Sequence, residues 1–97
     1  MGKATEITDE KLDKYFSITE RAIAKAKANI AKSEELQGRA YEFLNMAESY
    51  LSDAKHFREK GDYVSAFGAV NYAHAWLDAG ARIGLFDVHD SELFAAD

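Results

Sequence analysis

The chain has 97 residues, a formal net charge of −5, and neither cysteine nor proline. That length fits one domain, spanning 1–97, with a modest core that buries about 60–65% of the unfolded surface. The composition excludes disulfides and thiolate metal sites, no apolar run reaches the roughly 20 residues that span a bilayer, and the acidic balance opposes generic phosphate binding. Met1 to Thr8 is polar and shows no signal-peptide pattern, so a cytoplasmic location is expected and no membrane contact.

The first helix is expected over 8–31. Thr8 is a capping residue, and Asp9 and Glu10 follow in the first turn, where the helix dipole favours acids. Ile7 and Leu12 stand at the spacing of a hydrophobic staple. Leu12, Tyr15, Phe16, Thr19, Ala22, Ile23, Ala26 and Ile30 then recur by threes and fours, which makes one apolar stripe opposite a charged face.

The pattern resets at Ser33, a capping residue followed by Glu34 and Glu35, and a second helix is expected over 34–60. Its stripe runs Leu36, Ala40, Phe43, Leu44, Ala47, Tyr50, Leu51, Ala54 and Phe57. Lys55, Arg58 and Lys60 crowd its last turns, where cations are favoured. Gly61-Asp62 supplies a helix end and a new N-cap, so the third helix is expected over 62–84.

That third helix is apolar on two sides. Tyr63, Ala66, Phe67, Val70, Ala73, Leu77 and Ala81 share one face, and Tyr72, Trp76 and Ile83 lie well round the cylinder from it. Asn71, His74, Asp78 and Arg82 form a polar stripe between them. In the tail, 85–97, Leu85, Phe86 and Val88 are expected to fold back on the bundle end, while Ser91 onward is expected to be a frayed turn or disordered. Nothing alternates with the period of a strand. Three helices with short connections predict an all-α, antiparallel up-down-up three-helix bundle with a short C-terminal tail.

Residues 47–80 resemble a tetratricopeptide hairpin locally, through Tyr50, Ala54, Phe57, Gly61-Asp62-Tyr63, Ala66, Val70 and Ala73, but there is one copy and no repeat period. A more specific set is Met46-Ala47, Tyr50, Asp53-Ala54, Phe57, Gly61-Asp62-Tyr63-Val64, Ala66-Phe67, Asn71-Tyr72-Ala73-His74, Trp76-Leu77-Asp78-Ala79-Gly80, Arg82, Gly84 and Phe86-Asp87-Val88. On these residues the chain resembles an archaeal family known as domain of unknown function 357, and the resemblance covers roughly 36–88. The resemblance implies a three-helix bundle and an archaeal, cytoplasmic source, and it brings no activity, cofactor or catalytic residue. Ala75 departs from the glycine expected before the Trp-Leu-Asp run.

Three function classes follow. The first is a non-enzymatic interaction or self-association module, with a protein partner or a second copy meeting Asn71, Tyr72, His74, Trp76, Asp78 and Arg82. Here Trp76 and Tyr72 are the apolar anchors. The second is an RNA-binding accessory using the basic run Arg21, Lys25, Lys27, Lys32 and Arg39. The third is an enzyme using His74 as a base oriented by Asp78, four residues on; no activated serine or cysteine joins them. Arg82 and His89 loosely echo the spacing of helical RNA-cleaving toxins of the HEPN type, with Ile83 where a polar residue is usual. Asp87, His89 and Asp90 have metal-ligand types without the spacing of a zinc or calcium site, so no metal and no cofactor is expected.

Overall fold

In a computed structural model, which describes residues 6–95, three helices follow one another: α1 (Asp9–Ala28), α2 (Glu34–Glu59) and α3 (Tyr63–Arg82). Residues 96 and 97 of the expected tail lie outside the described residues. The Lys11 amide donates to Thr8 Oγ1 at 3.1 Å, so Thr8 caps α1 through its side chain. The Ser65 amide donates to Asp62 Oδ1 in the same way and starts α3; the Ser65 hydroxyl first, and that amide second, hold the Asp62 carboxyl below its usual range. Ser33 precedes α2 in extended geometry but makes no capping bond through its side chain.

Both α2 and α3 end on a glycine at positive φ, Gly61 at 82° and Gly84 at 84°. After α2, Asp62 N donates to the Phe57 carbonyl and Gly61 N to that of Arg58. After α3, Leu85 N donates to Gly80 and Gly84 N to Ala81. These paired bonds are Schellman closures, which satisfy end carbonyls that a side chain with a Cβ would leave strained to reach. Helix α1 stops at Ala28, three residues before the expected 31. The reason is competition: Ala31 N donates to the Leu85 carbonyl and Asp87 N to that of Asn29, so the chain beyond Ala28 pairs with the tail instead of winding on.

The helices run up, down and up, as expected. Lys55 meets Glu20 and Lys27 meets Glu48 across the antiparallel α1–α2 pair, whereas Tyr15 meets Phe67 and Thr19 meets His74 across the parallel α1–α3 pair. Helices α2 and α3 form the closest pair. Ala40, Ala47 and Ala54 recur every seven residues on α2, and Ala66, Ala73 and Gly80 do so on α3; all six are buried. The ring pairs Phe43–Trp76 and Tyr50–Tyr72 set a register that puts the two small-residue series level with each other. Small residues let the backbones approach, and Leu44, Leu51, Val70 and Leu77 fill the space between.

The tail is part of the core. Leu85, Phe86, Val88, Leu93 and Phe94 are all buried, Phe94 to 1% exposure. The expectation of a frayed or disordered segment from Ser91 is therefore corrected for Ser91 to Phe94. An Asp90-centred turn, with Leu93 N and Phe94 N donating to the Asp90 carbonyl, aims two large apolar side chains inward. Burying a leucine and a phenylalanine offsets the ordering of so short a segment.

Candidate functional site

The polar stripe of α3 is divided by the fold. Asn71 and Arg82 are exposed, and Asn71 donates to the Phe67 carbonyl one turn back. His74 and Asp78 are half-buried beneath the tail. His74 Nε2 donates to the Leu93 carbonyl at 2.7 Å, and its Nδ1 lies 3.0 Å from Thr19 Oγ1. The Ala95 amide donates to Asp78 Oδ1 at 2.9 Å. Further up the tail, Lys25 of α1 pairs with Asp90 at 3.1 Å and Arg21 with Glu92 at 4.0 Å. The Lys25 bond holds the Asp90 carboxyl below its usual value. His74 and Asp78 therefore act as a clamp: α1 and α3 grip the returning tail through them. Both imidazole nitrogens are engaged within the fold.

Thr19 and Leu93 are the partners that sequence reasoning did not connect to His74. Thr19 carried the signal, because a hydroxyl in the apolar stripe of a core helix has to find a bond, and Thr19 is 1% exposed.

The other side of α3 faces outward. Val64, Gly68, Asn71, Tyr72, Ala75, Ala79, Arg82 and Ile83 line it, and all are exposed. Val64 is 74%, Tyr72 53% and Ile83 59% exposed. Arg82 is the one charged side chain that α3 places on this face; its only other charged residue, Asp78, turns to the tail. The outward faces of α1 and α2 are mostly charged and polar, with Lys11, Asp13, Lys14, Glu20 and Lys27 on one and Glu34, Glu42, Glu48 and Lys55 on the other; Tyr41 of α2, 57% exposed, is the large apolar exception among the described residues.

Beside this face runs a shallow groove between α2 and α3. Tyr50, Asp53 and Phe57 form one wall and Ser65, Gly68, Ala69, Asn71, Tyr72 and Ala75 the other, enclosing about 640 Å³. It continues past Tyr72 into a smaller apolar hollow of about 270 Å³ lined by Phe43, Ala75, Trp76 and Ala79. Trp76 packs edge-on against Phe43 with centroids 4.9 Å apart, and Tyr72 lies 4.4 Å from Tyr50. The two aromatics predicted as anchors are thus supported from below by α2 and not by the tail. Tyr72 stays exposed, while Trp76 is half-buried.

At the far end of the bundle Asp9 accepts from Tyr63 Oη at 2.5 Å and from Arg58 Nη2 at 3.0 Å, and Arg58 also pairs with Asp13 at 2.8 Å. The Tyr63 bond first, and the guanidinium second, hold the Asp9 carboxyl below its ordinary value. This knot ties the start of α1 to the end of α2 and the start of α3. In the basic run, Arg21, Lys25 and Lys27 each face an acid, Glu92, Asp90 and Glu48. Asp87 and His89 pair at 3.0 Å. Among the described residues no group of three or more metal-ligating side chains converges, and no helix is long and apolar enough to cross a membrane.

Comparison with curated proteins and with solved structures returned no match. A family match covers residues 14–86, from the first turns of α1 through α2 and α3 to Phe86 of the tail. It takes in the α3 face, the groove, His74 and Asp78, but not the tail residues Leu93 and Ala95 that these two hold, and on that match the chain belongs to the family described as protein of unknown function, DUF357.

Proposed function

We propose that this domain is a non-enzymatic interaction module that binds through the outward face of α3 and the α2–α3 groove. The observation that carries this reading is the distribution of charge. Helices α1 and α2 turn mostly charged and polar side chains to solvent, with Tyr41 the large apolar exception, and the third presents Val64, Tyr72, Ala75, Ala79 and Ile83 to solvent with Arg82 as the single charge on that face among the described residues. A contiguous apolar face with a few polar groups at its margin is the composition of a recognition surface. Tyr72 is the exposed anchor, Asn71 and Arg82 give polar specificity, and Trp76 shapes the groove floor from its half-buried position. His74 and Asp78 contribute indirectly, by holding the tail on the opposite flank. An archaeal, cytoplasmic setting belongs to the same proposal.

The test is affinity capture with two baits, the intact chain and Ala75→Arg, from cells that make the protein. Ala75 is exposed, so an arginine there covers the face without entering the core. Partners held by the intact chain and lost by Ala75→Arg support the reading. Identical partners on both baits, with both baits equally helical by circular dichroism, sink it.

A further inference from the structure

The α3 face is self-complementary, and we infer that its occupant is a second copy of this chain, packed with its α3 antiparallel across a two-fold axis near Tyr72–Ala75. This rests on the reading of that face as a docking surface and names the partner. Three observations support it. The first is shape. Equal steps from such an axis set Ala79 of one copy against Gly68 of the other, and Ile83 against Val64. Small residues meet small ones at the close approach, and the two most exposed aliphatic side chains, Val64 and Ile83, meet at the ends.

The second is charge. Arg82 lies at the C-terminal end of the face, while Asp53 lines its groove beside Ser65 and Gly68, and Asp62 caps the start of α3. The antiparallel two-fold brings the Arg82 of each copy to the acidic end of the other. A parallel arrangement stacks Arg82 on Arg82 and Asp53 on Asp53, which is repulsive. The third is area. Helix α3 has 20 residues, about 30 Å at 1.5 Å per residue. A standard-size interface takes about 800 Å² from each partner, which over that length is a strip about 27 Å wide, so the α2 wall of the groove has to be buried together with the α3 face.

The absence of cysteine makes the arrangement directly readable. Light scattering after gel filtration is expected to give twice the 10.8 kDa chain mass for the intact protein and the chain mass for Ala75→Arg. Arg82→Asp is expected to raise the dimer dissociation constant roughly tenfold, and adding Asp53→Arg to recover most of the loss. Under mild oxidation Ala75→Cys, next to the axis, should cross-link to itself. Val64→Cys and Ile83→Cys should each fail alone, because like positions lie about 28 Å apart along the axis, and should cross-link when mixed.

A monomer at all concentrations up to the millimolar range overturns the self-association. So does Val64→Cys linking to itself, which marks a parallel pair. If the intact chain is a monomer yet loses captured partners on Ala75→Arg, the face binds a different protein and only the present inference fails. If the chain is a monomer and both baits hold the same partners, the docking reading falls with it.

Discussion

The Leu93 carbonyl accepts a 2.7 Å bond from His74 Nε2, and through it the chain's last apolar turn is fastened to the middle of α3. A carbonyl only accepts, so Nε2 carries the proton, and in the neutral ring Nδ1 accepts from the Thr19 hydroxyl. One imidazole thus couples α1, α3 and the tail. His74 and Asp78 form the inner half of this clamp, with Asp78 Oδ1 taking the Ala95 amide.

Replacing His74 with phenylalanine leaves the Thr19 hydroxyl and the Leu93 carbonyl to be paired anew in a part-buried site. A loss of about 1–3 kcal/mol is expected, the usual cost of orphaned buried groups. The loss should be local first: amide exchange at Leu93, Phe94 and Ala95 should speed up more than exchange in the α2–α3 seam. Urea unfolding and hydrogen exchange read the two effects. Unchanged tail exchange in this variant would show that the clamp does not hold the tail.

Gly80 and Gly38 make a paired prediction. Both lie within helices, where glycine to alanine ordinarily gains about 0.5–1 kcal/mol. At Gly38 an added Cβ meets nothing within 4 Å, so Gly38→Ala should stabilise by roughly that amount. At Gly80 it would sit 2.8 Å from Phe86 Cδ2 and closer still to Cε2, against a ring that is 2% exposed. Gly80→Ala should instead cost about 1–3 kcal/mol through overpacking. Phe86→Leu removes the ring that obstructs the Cβ, so the double variant should lose less than the two single losses added together. Additive losses in thermal unfolding would mean that the contact is relieved elsewhere.

The Asp9 knot predicts how stability depends on pH. Asp9, Asp62 and Asp90 all have carboxyls lowered from 3.8, by Tyr63 and Arg58, by Ser65 and by Lys25 in turn. A carboxyl depressed by folding contributes stability that is fully present above its unfolded value and is lost as pH falls through the folded one. Unfolding midpoints should therefore be flat from neutral pH down to about pH 4 and fall below it. Asp9→Asn should flatten the acid limb. Tyr63 moves the other way: its phenol is pushed up from 10.0 because Asp9 accepts its proton, so that contribution fades only as pH rises beyond 10. An acid limb of equal slope in wild type and Asp9→Asn would remove Asp9 from the account.

Local signals carried the helices. Thr8, Asp62, Gly61 and Gly84 each do at a helix end what their side chains or backbone freedom favour, and the apolar stripes sort the three buried faces. The family was legible too, because the Asn71–Val88 run is specific. Two things were not legible. The end of α1 at Ala28 is decided by bonds to Leu85 and Asp87, more than fifty residues away, which no local pattern contains. The burial of Leu93 and Phe94 depends on the same long-range return. The α3 stripe shows the limit most plainly: Asn71, His74, Asp78 and Arg82 recur in steps of three and four, and only the tail's path separates two clamping residues from two exposed ones.

Trp76 sets two effects against each other. Its Nε1 is buried without a hydrogen-bond partner, although the indole packs edge-on against Phe43. Trp76→Phe removes the orphaned donor, worth about 1–3 kcal/mol, and gives up part of the ring area, worth roughly 1 kcal/mol. The expected result is a protein as stable as the wild type or up to about 2 kcal/mol more so, whereas Trp76→Ala should lose about 3 kcal/mol by opening a hollow beside Phe43. Urea unfolding followed by far-ultraviolet circular dichroism compares all three, since the variants lack the indole that fluoresces. A phenylalanine variant as unstable as the alanine one would mean that Nε1 is satisfied in solution, by a water in the hollow beneath Tyr72. Either way Trp76→Ala perturbs the groove and the fold together. The docking face is better probed at exposed Ala75, where an added side chain changes what the surface presents and leaves the core packing as it is.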